Sequence, residues 1–281
     1  PASMSAMKKW AKNTQRSHII VEHNDDSGSV DEQAYIKKLT SDVRVVSIVH
    51  TSPVTGMTVD LEKITKEVRN VTPDCIIIVD GIQHSSHGAI DVQKYDIDGY
   101  VVSPYKMFSR HGYGVAWASD RLCTLNKEQM TGGPFQNWEL GTRDAGSYAT
   151  FSDVVDYLDW LGSNFTESEN TRERLEASSI AIKSHEQELV DLVINGAEDI
   201  VGLRNNKKIQ IIGTSDSKFR EGVVSFFQKN KPSSIIVEEL RQRKIRVHIR
   251  KDDHYCGNIL GPLNQNCLLY TSDAADDKCS V

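Results

Sequence analysis

The sequence predicts an α/β protein in which a mainly parallel sheet with helical crossovers precedes a smaller α+β unit. Three observations carry this. Val45 to His50, Cys75 to Asp80 and Tyr100 to Ser103 are short apolar runs closed by polar residues, the pattern of buried strands. Between the first two, Val59 to Asn70 puts Leu61, Ile64 and Val68 on one helical face with charges opposite. Strand, helix and strand in succession imply parallel pairing through right-handed crossovers. After the polar stretch SNFTESEN at 163–170, the pattern changes to one long amphipathic helix and then short strands.

In chain order, Pro1 to Lys12 has helical spacing, with Met4, Met7, Trp10 and Ala11 on related faces, and His18 to Glu22 reads as a strand. Asn24 to Ser29 carries Asp-Asp-Ser-Gly and reads as a turn, and Val30 to Leu39 suits a helix. Leu122 to Asp144, with Gly132, Gly133, Pro134 and Gly141, is a long irregular connection, and Tyr148 to Leu161 is helical. Thr171 caps a helix on which Leu175, Ile182, Leu189 and Val193 recur, ending near Asn195 and Gly196. Strands follow at Lys208 to Ile212, Val223 to Gln228 and Ile245 to Arg250, with a helix from Pro232 to Arg243. The expected organisation is a first unit over residues 1–165, a second over 166–266, and a tail over 267–281 that stands outside the fold.

That tail is set apart because Cys267 to Asp277 reads CLLYTSDAADD, which matches a translated transposon-end sequencing adapter. Composition bounds the rest. With 281 residues, 38% hydrophobic, no apolar run approaching the roughly 20 residues of a membrane span, and no signal-like start, the expectation is a soluble, cytoplasmic protein. A net charge of -6 without a basic stripe argues against nucleic acid and anionic membranes, leaving a small-molecule substrate. Five cysteines without paired spacing argue for a reducing compartment and against structural zinc. His84 and His87 have ligand-like spacing but no third ligand in view, so no metal is expected.

Asp80 tops one expected strand and Lys106 follows the next. In an open parallel sheet the ligand crevice lies outside the carboxyl ends of the strands, so both face it. The combination of Asp80 and Gln83, then Ser103-Pro104-Tyr105-Lys106, then Gly141-Thr142, resembles the class V family of pyridoxal-phosphate aminotransferases and cysteine desulfurases. The resemblance covers Pro1 to about Leu263 and implies a partial fold-type I transferase: a pyridoxal-phosphate-binding large domain and a small C-terminal domain. It implies that Lys106 forms the internal aldimine with the cofactor. It assigns Asp80 to the pyridine nitrogen, Gln83 to the ring oxygen, and Ser103 and Tyr105 to the phosphate. Thr142 matches the residue that reaches the partner subunit's phosphate, which implies a homodimer with shared sites. His87 also follows the pattern. A lysine attacks only as the free amine, a form favoured on rigid structure beside a cationic ring.

Cys256, in Asp253-His254-Tyr255-Cys256-Gly257, resembles the desulfurase cysteine that takes sulfur from the cofactor-bound substrate. This loop departs from the desulfurase pattern, since Tyr255 stands for a histidine and Gly257 for an alanine. The plain alternative is a small packed cysteine. The expected function is therefore a cysteine desulfurase or selenocysteine lyase acting on a small amino acid. The alternatives are an aminotransferase or epimerase in which Cys256 is a bystander, and a non-catalytic relative. The resemblance also makes the chain an interior stretch of a longer protein, lacking the ring-stacking residue before Pro1. By itself, the stretch is expected to hold cofactor weakly.

Overall fold

The computed structural model describes residues 2–24, 28, 30–135, 137–142, 144–263, 265 and 267–271. Helix α1 (Ala2–Asn13) leads through an extended segment to the short α2 (Glu32–Ile36), β1 (Val45–Val49), α3 (Leu61–Val71), β2 (Ile76–Asp80), β3 (Gly99–Val102), β4 (Val115–Ala118) and α4 (Asp120–Cys123). Two long helices follow, α5 (Ala145–Gly162) and α6 (Thr171–Asn195), and pack against each other. The remainder is a small hairpin of β5 (Gly196–Ala197) and β6 (Ile200–Val201), then β7 (Ile209–Ile211), β8 (Ser225–Gln228), α7 (Ser233–Gln242), β9 (Val247–Lys251), α8 (Gly257–Leu260) and β10 (Cys267–Thr271).

The first sheet has the order β1-β2-β3-β4, with β1, β2 and β3 parallel and β4 antiparallel at the edge. Its core joins Ile48, Ile77, Val79 and Tyr100 from the strands to Leu61, Ile64 and Val68 of α3. Those three helix residues are the apolar stripe read from the sequence, and Asp60 starts the helix by accepting from the Lys63 amide. The second sheet, β7-β8-β10-β9, is antiparallel throughout. Arg220, fully buried, ties the two parts together by donating to the carbonyls of Thr55, Val223, Ile212 and Thr214. Burial lowers its pKa to about 10, which still leaves it charged at neutral pH.

Three expectations change. No strand forms over 18–22: Ile19 and Ile20 are exposed, Val21 packs on the core, and among the described residues the run has no partner strand. Asn170, not Thr171, caps α6 by accepting from the Glu173 amide. The largest correction concerns the tail. Cys267–Thr271 is not outside the fold but is an inner strand, paired with β8 on one side and β9 on the other. Leu268 and Leu269 are fully buried on opposite faces, one in a cluster with Cys256 and Leu260 and the other with Val190 and Phe226. The five residues are apolar and β-prone enough to complete the sheet whatever their origin. Residues 272–281 and most of the turn expected at Asn24 to Ser29 lie outside the described residues. The expected boundary after residue 165 falls in the loop between α5 and α6. Among the described residues, no helix is long and apolar enough to cross a membrane.

Candidate active site

Asp80 is the last residue of β2 and lies level with Val101 of the neighbouring parallel strand. Two residues beyond Val101, Ser103 opens a 3-10 turn over Pro104–Met107, which carries Lys106 at the same carboxyl edge. Proline at the first position suits this turn because its missing N–H has no partner to lose. Phe108 ends it in the left-handed region at φ 68°. Lys106 is buried, 6% exposed, with its Nζ 5.6 Å from the centre of the Tyr105 ring. Tyr105 in turn stacks on His111 at 4.2 Å.

Asp80 is half-buried and accepts from the Ile82 amide at 3.2 Å and from the Ser3 hydroxyl, so α1 begins over this carboxylate. Gly81 follows because a Cβ there would stand 2.1 Å from the Tyr100 ring. The chain then turns through Gln83 into a 3-10 turn over His84–Ser86, with Gln83, His84 and His87 all buried. The Gln83 amide nitrogen meets His87 Nε2 at 3.1 Å, and His87 Nδ1 meets both Glu186 carboxylate oxygens at 2.7 and 2.9 Å. His84 Nδ1 pairs with Glu221 Oε1 at 2.5 Å.

His50, just beyond β1, lies at the same edge and stacks on His84 with ring centres 3.6 Å apart. Its Nδ1 is 2.9 Å from the Tyr100 hydroxyl. Burial, then the charges of His84 and Lys183, push the His50 pKa down to about 2, so its ring is neutral at ordinary pH. Burial pushes the Tyr100 phenol up, aided by Tyr95, Glu221 and Asp80, and it remains a hydroxyl.

The structure places Asp80, Gln83, Ser103, Tyr105 and Lys106 at one edge of the sheet; of these, the strand endings pointed to Asp80 and Lys106, and the family resemblance to the other three. Two expected residues lie elsewhere. Thr142 is exposed in the irregular segment between α4 and α5, not in the buried cluster. Cys256 is 2% exposed and packs with Val54, Ile212, Val223, Phe227, Leu260 and Leu268. Burial raises its pKa, outweighing the nearby Arg250, so the thiol is protonated at neutral pH. His50, Ser3, Glu186 and Glu221 went unforeseen. His50 could have been found, since it closes the Val45 to Val49 run as Asp80 closes its own. Ser3 and the two glutamates carry no local signal.

The aminotransferase class-V family model matches residues 2–266. The chain belongs to that family. Its members depend on pyridoxal phosphate and typically act on amino acids as dimers. The chain is 25% identical over 216 residues to a probable cysteine desulfurase of Mycobacterium leprae, covering 72% of this chain and 46% of that one. An aminotransferase-like protein of Gibberella zeae is 27% identical over 206 residues, at 71% and 46% coverage. The chain therefore spans less than half the length of these curated relatives. In fold it is similar to the apo cysteine desulfurase of Thermococcus onnurineus, with a TM-score of 0.74, 20% identity and coverage of 96% of this chain and 65% of that one. The Escherichia coli cysteine desulfurase CsdA gives a TM-score of 0.73 at 19% identity, covering 98% and 65%.

The donor set at the strand ends suits the family's cofactor. A carboxylate acceptor, a side-chain amide, two hydroxyls and a buried amine match a protonated ring nitrogen, a ring oxygen, a phosphate and an aldehyde.

Proposed function

We propose that the whole protein is a pyridoxal-phosphate enzyme acting at the amino group and α-carbon of a small amino acid, with Lys106 as the residue that holds the cofactor and moves the proton. The observation that carries this reading is the burial of Lys106 at the carboxyl edge of β3, one parallel strand away from Asp80. When bound, the cofactor supplies an electron sink for charge developing at the α-carbon.

The chain's own residues do the rest. Asp80, acceptor-only when ionised, stabilises a protonated ring nitrogen; Gln83 meets the ring oxygen; Ser103 and Tyr105 hold the phosphate. Thr142, exposed on its loop, is assigned to the phosphate of a second copy in a homodimer. Lys106 Nζ is the atom that takes and returns the substrate's α-proton, a role worth about 10²–10⁴ in rate. Its burial keeps that proton from exchanging freely with water.

Cys256 decides between branches. Its packed surroundings and raised pKa favour chemistry that stays at the amino group and α-carbon, as in an aminotransferase or epimerase. The second reading, a cysteine desulfurase or selenocysteine lyase with Cys256 as sulfur acceptor, is favoured by the named likenesses in Mycobacterium leprae and Escherichia coli. The test supplies the full-length protein with cofactor and a panel of small amino acids including cysteine, with a thiol reductant to free sulfide from any persulfide formed, and assays amino-group transfer, epimerisation and sulfide release. The first reading expects transfer or epimerisation that survives Cys256→Ala. Sulfide release that disappears in Cys256→Ala would establish the second and overturn the first.

A further inference from the structure

The turn that carries Lys106 is followed by a loop that folds back on it. Phe108, in the left-handed region at φ 68°, reverses the chain, and the Ser109 amide closes the reversal on the Pro104 carbonyl at 3.0 Å. Helix α5 then holds the loop on both sides of His111. Before it, Arg110 Nε donates to the Ser147 hydroxyl at 3.1 Å, and the guanidinium pairs with Asp144, the cap of α5. After it, the Tyr113 hydroxyl lies 2.6 Å from that of the buried Ser109, which donates to Thr150 at 3.1 Å. Gly112, at φ 103°, turns the chain between these anchors; a Cβ there would meet nothing within 4 Å, so the backbone and not crowding calls for glycine. Held in this way, the His111 ring lies on the ring of Tyr105, with centres 4.2 Å apart and planes 19° apart.

We infer that His111 is a positioning residue: by stacking, it fixes the plane of the Tyr105 ring and so the direction in which the phenol hydroxyl meets a phosphate. This rests on the proposed cofactor reading, in which Tyr105 holds the phosphate. A phenol oxygen lies in the plane of its ring, so a ring that swings about its side-chain bonds carries the hydroxyl away from its target. A stacked ring cannot swing without parting the stack, and the stack covers a face while the hydroxyl points from the edge. Whatever else the Tyr105 side chain touches, removing His111 frees one face of the ring. Lys106 Nζ is 5.6 Å from the centre of the same ring, so the stack belongs to the site that carries Lys106. Stacking needs neither a proton nor a nitrogen, and any flat ring of similar size at position 111 serves equally. A hydroxyl aimed before the ligand arrives loses less freedom on binding, which is the gain in affinity the stack supplies.

The experiment compares wild type, His111→Ala, His111→Phe, Tyr105→Phe and the double variant Tyr105→Phe with His111→Ala, all in the full-length protein. Titration with pyridoxal phosphate reads affinity. His111→Ala is expected to bind the cofactor about threefold to tenfold more weakly, the worth of one aromatic pair, and His111→Phe to bind it as wild type does. In the Tyr105→Phe background there is no hydroxyl left to aim, so His111→Ala should add no further loss. Proton NMR of the cofactor-free protein reads the stack itself, as a ring-current displacement of the His111 signals that Tyr105→Leu removes. The inference is overturned if His111→Phe is as impaired as His111→Ala, which would assign the effect to the imidazole nitrogens. It is equally overturned if His111→Ala costs as much in Tyr105→Phe as in wild type, or if Tyr105→Leu leaves the His111 signals in place. A wild-type protein that takes up no cofactor, or a Tyr105→Phe variant that binds it undiminished, refutes the cofactor reading on which the inference rests, and the NMR measurement then still decides whether the stack exists.

Discussion

Two clusters of buried charge occupy opposite ends of the first sheet. At the amino-terminal end of β3, Asp98 accepts from Arg69 at 2.9 Å, from two nitrogens of Arg121 at 2.8 Å each, and from the Ile77 amide at 2.8 Å. Burial opposes its ionisation, but the Ile77 amide and the two guanidiniums prevail and hold the carboxyl below its usual range. Every partner comes from an element touching this end of the sheet. At the carboxyl end, His84 and His87 take their carboxylates from residues 137 and 99 positions away. There Glu221 Oε2 is buried with no hydrogen-bond partner among the described residues. A satisfied local knot stabilises a fold; an imperfectly satisfied cluster assembled from two parts of the chain costs stability and is the expected signature of a working site.

The contrast is broken most directly by Lys106→Ala in the full-length protein. Turnover should fall by about 10²–10⁴, with the urea midpoint nearly unchanged; a large loss of stability with activity retained would place Lys106 on the structural side. Asp98→Asn should do the reverse. It leaves two guanidiniums facing a neutral group, and about 3 kcal/mol of unfolding free energy should be lost in urea titrations, with cofactor uptake by the folded fraction intact.

The same carboxylate gives a pH dependence whose sign follows from its lowered folded pKa. Its contribution is fully present above the unfolded carboxylate value of about 3.9 and is lost as pH falls through the lower folded value. Wild type should therefore lose its advantage over Asp98→Asn only in that acid window, measured by urea unfolding at stepped pH. A difference that instead disappears between pH 5 and 8 would assign the effect to histidines. The smallest effect belongs to Cys256→Ala, expected to cost about 1 kcal/mol as a lost core contact, and to leave amino-group transfer or epimerisation unchanged.

Much of this arrangement was legible in the sequence, and the limits have physical reasons. Asp80 and Lys106 could be found because buried parallel strands are apolar to their ends, so a polar residue closing such a run marks the carboxyl edge. Helix α3 was legible because its apolar stripe is local, although its start was read two residues early, before the Asp60 cap. What escaped was non-local. Glu186 lies on a long helix whose charges look alike in sequence, and only packing selects the one that meets His87. The His18 to Glu22 run has strand composition but, among the described residues, no neighbouring strand, and composition alone does not supply one. Cys267–Thr271 failed in the opposite direction: a segment set aside for its resemblance to an adapter pairs as an inner strand, and its consecutive residues Leu268 and Leu269 are both buried because each face meets a hydrophobic layer.

In the proposed function, the carboxyl edge of the first sheet is a pyridoxal-phosphate site built on Lys106. Borohydride reduction of the full-length protein after incubation with pyridoxal phosphate, followed by mass spectrometry of the peptides, tests it most directly. One stoichiometric pyridoxyl group is expected on Lys106, absent from Lys106→Ala and weakened in Asp80→Asn. Modification scattered over surface lysines, or uptake undiminished in Lys106→Ala, would contradict it.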